Sequence, residues 1–185
     1  MRTLKNRLTN VAGAEIAEAA LVLPVVFVFL LGIVWFGRAF NIYSTITQAA
    51  QQGAIVAARP TCATCGAPPG IPWGTNFPGD AAVINTISSV MQASSLDPGQ
   101  IPPNSVSPPT TFCSFPPPAP SGNCSSGNIT ICRGVLLNPP ASATQPPVCG
   151  TLVSFQYPFQ FYLPFTSLNL RQVLLTAQAQ SRMEN

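Results

Sequence analysis

The chain has 185 residues, of which 46% are hydrophobic and only 7% charged, and its net charge is +3. An ordinary soluble domain is about 25% charged, so this balance points to a membrane or envelope protein, and the few scattered cations exclude the clustered basic face that nucleic-acid binding needs. Histidine is absent, which removes Ser-His and Cys-His catalysis and every His-containing metal site.

The first thirteen residues carry Arg2, Lys5 and Arg7 and no acid. Then comes "GAEIAEAALVLPVVFVFLLGIVWFG", Gly13 to Gly37, in which Ala19 to Gly37 is a run of nineteen uncharged residues. As a helix it spans about 28 Å, close to the ~30 Å hydrocarbon core of a bilayer. A buried helix of a soluble protein is the alternative, but so charge-poor a chain has little to cover it with. Pro24 predicts a kink rather than a break. The basic flank keeps the short N-terminus in the cytoplasm and exports the residues beyond about 40. The apolar run exceeds the roughly 7–15 residues of a secretory h-region, and no small-x-small site directly follows it, so it reads as a retained anchor. Glu15 and Glu18 stand at its mouth. As charges in the first helical turn they contribute ~0.3–1 kcal/mol each.

Beyond the span, Ile42, Ile46, Ala49, Ala50, Gly53, Val56 and Ala57 recur at spacings of three and four, which predicts that the helix continues. It should end near Ala58, because Arg59 precedes Pro60. The small residues Ala49, Ala50, Gly53, Ala54, Ala57 and Ala58 suit close packing, within the chain or against another subunit. Asp80 is a predicted N-cap for a second helix carrying Val83, Ile84, Ile87, Val90 and Met91, which should end before the turn signal "SLDPG", Ser95 to Gly99. Val153, Phe155, Tyr157, Phe159, Phe161 and Leu163 alternate with polar residues as in a half-buried strand, and Pro158 makes it an edge strand or marks a bulge. Val173, Leu175, Ala177 and Ala179 define a last strand, and Ile129, Ile131 and Val135 another. The reading is an α+β fold, a long helix packed on a small antiparallel sheet.

Twelve of the twenty-one prolines fall in 102–120 and 138–148 and exclude regular sheet from these loops. All six cysteines, Cys62, Cys65, Cys113, Cys124, Cys132 and Cys149, lie beyond the apolar run, which fits disulfides in an oxidising compartment, an inference independent of the positive-inside rule. Such bridges staple loops that cannot build a large core. Fifteen pairings are open, and Cys62–Cys65 is favoured as a local one. "CATC" (Cys62 to Cys65) lacks the strand before and helix after it that thioredoxin-type redox chemistry requires, and a Cys₄ zinc site does not suit an exported chain with a single CxxC. "NIT", Asn128 to Thr130, fits the glycosylation sequon, a pattern common by chance. Asp80, Asp97 and Glu184 are too sparse to nominate a carboxylate pair. No enzyme, metal or cofactor is expected.

The arrangement of a basic stretch ending in Gly13, an acid five residues on at Glu18 and then an apolar run resembles the type III signal of prepilins. That resemblance implies cleavage after Gly13 by a prepilin peptidase, removal of residues 1–13, and a mature chain beginning at Ala14. A narrower match rests on Glu18 before "ALVLP" (Ala20 to Pro24), on "LLGI" (Leu30 to Ile33), "FGR" (Phe36 to Arg38) and "QAAQQGAIVAAR" (Gln48 to Arg59), and on the ending "SRMEN" (Ser181 to Asn185). These residues resemble the TadE-like proteins, pseudopilins of tight-adherence (Flp, type IVc) pilus systems. Flp-type pilins usually carry an aromatic directly after the glutamate, where this chain has Ala19. The resemblance implies a helix over 14–58 with its transmembrane part at 19–37 and a pilin-like exported domain over 59–185. It also implies a structural role in pilus assembly and adhesion. The implied partners are a prepilin peptidase, Flp-type pilin and other pseudopilins, an inner-membrane platform and membrane lipid, but no nucleic acid. Within it, Glu18 would pair with the Ala14 amine of a neighbouring subunit, with Glu15 as a possible auxiliary acid. The rival readings are an uncleaved single-pass binding module and a type II secretion pseudopilin.

Overall fold

The computed structural model describes residues 11–60, 77–103, 106–107, 109, 111–113, 122–125, 127–138, 148–160 and 172–183. The chain divides into two compact units, Met1–Phe40 and Asn41–Asn185. Helix α1 runs over Val11–Ala58 and includes Pro24. It stops where the Arg59–Pro60 pair forbids continuation.

The C-terminal unit is α+β. Its described residues form the end of α1, helix α2 (Asp80–Ala93), a 3-10 turn (Pro98–Gln100) and four strands: β1 (Asn123–Ser125), β2 (Ile129–Leu136), β3 (Cys149–Phe159) and β4 (Val173–Arg182). The strands form one antiparallel sheet in the order β1-β2-β3-β4. One face packs on the helices. Ile46, Ala49, Ala50, Ala54 and Ala57 of α1 meet Val83, Ile87 and Met91 of α2 and Ile129, Ile131, Val153, Phe155 and Ala177 of the sheet. The small residues of α1 are therefore used within the chain. Ala58 and Gly53 are buried as well, with Ile87 directly over Gly53, and the Thr151 hydroxyl donates to the Ala54 carbonyl at 3.1 Å.

Asp80 is not the N-cap of α2. Gly79 holds that position without a side-chain bond, and Asp80 lies one residue inside, where its carboxylate is taken by the Arg133 guanidinium. Arg133 also donates to the Pro78 carbonyl at 2.8 Å, so one side chain of β2 fixes the start of α2. The other end closes by a Schellman motif. Ser95 adopts φ 59°, its N–H donates to the Gln92 carbonyl, and the Leu96 N–H donates to the Met91 carbonyl. Asp97 then accepts from the Gly99 N–H at 2.9 Å, building the turn that "SLDPG" predicts.

Strand β3 departs from expectation in two ways. It is central rather than an edge, and residues 150–155 are buried without interruption. A second apolar cluster of Cys132, Val135 and Leu152, with Phe112, Cys124 and Leu137 packed on it, accounts for part of this burial on the sheet's other face. Pro158 is tolerated because β2 reaches only to Phe155; past that point β3 has β4 alone beside it, with Pro158 opposite Leu174 in an unbroken register. Val135 does not share the face of Ile129 and Ile131. Gly134 at φ 72° sits in a register shift between Arg133 and Val135, and the extra residue turns Val135 to the opposite side. Val173 and Leu174, at the start of β4, are 44% and 45% exposed. Phe161 and Leu163 lie outside the described residues.

At Gly150 the neighbouring strand comes too close for any side chain. A Cβ there would overlap the Ser181 carbonyl oxygen and the Leu137 side chain. Gly150→Ala is expected to cost about 1–3 kcal/mol, measured as a lower urea midpoint for the detergent-solubilised chain.

Candidate functional site in the N-terminal helix

Helix α1 is long and apolar enough to cross a membrane, and its most apolar stretch has no buried side chain. Leu21 is 72% exposed and Phe36 74% exposed, and Leu23, Val28, Phe29 and Ile33 are similarly open. Exposure of this kind is costly in water and favourable in hydrocarbon. The Trp35 ring lies under the Arg38 guanidinium at 5.9 Å. An aromatic and a cation at the end of an apolar run suit the headgroup level of a bilayer. A single N-terminal apolar helix of this kind fits a single-pass membrane anchor.

Gly13, Ala14, Glu15 and Glu18 all fall within the first two turns or so of α1, as three- and four-residue spacings bring them round one helix. Glu18 and Gly13 are exposed. The side chains of Ala14 and Glu15 lie outside the described residues. Glu18 is thus the one described carboxylate at the edge of the exposed apolar surface, with apolar side chains following for five turns.

Among the described residues two disulfides hold the C-terminal unit. Cys124–Cys132 joins residues directly opposite each other on β1 and β2, with Cα atoms 4.0 Å apart. Cys113–Cys149 ties the segment bridging Phe112 to Val135 onto the first residue of β3. Cys62 and Cys65, and hence the favoured local pair, lie outside the described residues. Among the described residues no three ligating side chains gather to hold a metal ion. The sequon asparagine is already engaged, since its side-chain amide donates to the Ile101 carbonyl at 3.1 Å, and Thr130 is buried.

Tyr157 has its hydroxyl pushed above the usual pKa of 10 by burial. A backbone hydrogen bond at Asp97 opposes this, and the Asp97 charge adds to it. Because the folded state holds the proton more tightly, the contribution is complete below pH 10 and is lost as pH rises through the folded value. Stability should therefore fall more steeply above pH 10 in the natural protein than in Tyr157→Phe, followed by unfolding midpoints between pH 9 and 11.

The family model described as TadE-like protein matches residues 13–54. These residues contain Gly13, Glu18, Pro24, the membrane run and most of the small-residue face. No curated protein and no solved structure matches the chain. The N-terminal segment is TadE-like, and that likeness implies involvement in tight-adherence pilus assembly, with pilus components as partners in general.

Proposed function

We propose that the protein is a minor pseudopilin of a tight-adherence (Flp, type IVc) pilus, acting structurally, not as an enzyme, in pilus assembly and surface adhesion. The observation that carries this reading is Glu18, exposed at the head of a lipid-facing helix, five residues after Gly13 and inside the matched segment. A prepilin peptidase removes residues 1–13. Glycine is a poor helix former, so the turn around Gly13 opens more readily than its neighbours for cleavage. The new α-amine on Ala14 has a pKa near 8 and is largely positive at neutral pH. The amine of one subunit pairs with Glu18 of the next when parallel helices pack. Each charge is costly alone at membrane depth, and together they fix the axial register. Glu15, about one turn earlier, faces headgroups or assists. The N-terminus stays cytoplasmic, and the C-terminal unit lies on the far side of the inner membrane, where an assembly platform extrudes the helix against Flp-type pilin and other pseudopilins.

Deletion of the chain in a pilus-bearing strain tests this. Fibres and surface attachment should disappear and return on complementation, and the protein should sediment with sheared fibres or with the inner-membrane platform. Normal piliation in the deletion strain would overturn the proposal.

A further inference from the structure

The two edges of the sheet differ in kind. The β1 edge is three residues long and pinned by Cys124–Cys132. The β4 edge is ten residues long, pairs with β3 in unbroken register, and contains no proline or bulge. Its only charge is Arg182, the last residue. No described residue pairs with its outer side. Alternate residues direct N–H and C=O away from β3, so about five residues present free backbone groups. Sheet proteins ordinarily blunt such an edge with charge, proline, bulges or brevity. Here none is used.

We infer that the β4 edge pairs antiparallel with the β4 edge of a second copy of this chain, joining two four-stranded sheets into one. The strand is compatible with itself. Two registers overlap nine residues with like faces matched. In one, spanning Leu174–Arg182, Gln178 lies opposite Gln178 of the second copy, Thr176 opposite Gln180, and Arg182 opposite Leu174. In the other, spanning Val173–Ser181, Thr176 lies opposite Gln178 and Arg182 falls opposite Gln172. Neither places like charges across the seam, and Thr and Gln side chains hydrogen-bond across it. The surrounding surface does not resist. From Asn41 to Asn185 the chain has only seven charged side chains, and two of them, Asp80 and Arg133, are spent on each other. So weak a field gives little repulsion between copies. A strand seam alone is smaller than the ~800 Å² per partner of a stable soluble complex. Confinement of copies by their membrane helices raises the effective concentration that such a seam needs. The inference requires copies in one membrane but neither cleavage at Gly13 nor assembly into a fibre, so it stands or falls separately from the pilus reading.

The test uses the full chain in membranes with Gln180 replaced by the photo-crosslinking residue p-benzoylphenylalanine. Irradiation should give an adduct of twice the chain mass on a reducing gel. Gln178→Lys should lower its yield about two- to five-fold, and so should Gln178→Glu, because in both registers residue 178 faces its counterpart directly or diagonally. Co-expression of the two variants should restore the yield. Gln178 is exposed, so both variants fold, which the two described disulfides and protease resistance will report. An adduct of another mass, which would place a different protein on this edge, overturns the inference. So does an absence of adduct, or a dimer yield indifferent to charge at 178.

Discussion

Phe155→Ala should be the most destabilising single substitution in the C-terminal unit, at about 3–5 kcal/mol. Phe155 is the largest fully buried side chain among the described residues, at 0% exposure. It lies where β3 still has both neighbours, opposite Ile129 on β2 and Ala177 on β4. It packs in the cluster that includes Ile46 and Ile87 from the helices. Alanine leaves a cavity that two helices and three strands would have to close, and α1 cannot shift inward easily because Thr151 already bonds its backbone. Domains of this size are stable by about 5–15 kcal/mol, so a large share of the total is at stake. Urea unfolding of the detergent-solubilised chain, followed by protease susceptibility, should show a lower midpoint with the disulfides intact. A loss below about 1 kcal/mol would mean that Phe155 is not central to the packing.

Glu18→Ala should leave folding of the C-terminal unit unchanged and abolish function. In the single chain Glu18 is exposed, so its removal breaks no internal contact in the described structure. In an assembled bundle the Ala14 amine of the neighbour would be left without its counter-charge. Removing one partner of a buried charge pair costs about 3–5 kcal/mol, which is on the order of 10²-fold or more in incorporation. Glu18→Asp should recover part of it, because the charge remains and only reach is lost. Glu15→Ala should have a much smaller effect. Incorporation of the tagged chain into sheared fibres or platform complexes reads all three. Equal incorporation of Glu18→Ala and the natural protein would assign Glu18 to ordinary helix-end electrostatics.

What the sequence makes legible follows from the range of each interaction. The end of α1 is local: a three-four spacing stopped by Arg59–Pro60. The alternation of β3 and β4 is local too, and the α+β reading rests on it. The failures are non-local. Asp80 looks like a cap until Arg133, 53 residues away, takes its carboxylate. Val135 looks like the third inward residue of β2 until Gly134 adds one residue to the strand and turns it over. Strand β1 has only Asn123, Cys124 and Ser125 and no period of its own; it exists because β2 pairs with it. The Cys124–Cys132 bridge follows once that register sets the two residues opposite each other. The candidate site is the reverse case. Gly13, Glu18 and the apolar run are defined by their spacing along one helix, and the chemistry proposed for them depends on a neighbouring subunit, which no contact within one chain encodes.

Intact mass and N-terminal sequencing of the membrane-extracted protein, with and without its prepilin peptidase, bear on the pseudopilin reading before any other experiment. A chain that begins at Ala14 only when the peptidase is present gives Glu18 its amine partner and is the expected result. Retention of Met1 or Arg2 in both strains would contradict it, and the protein would then be a membrane-anchored binding module whose two acidic residues serve only the start of its helix.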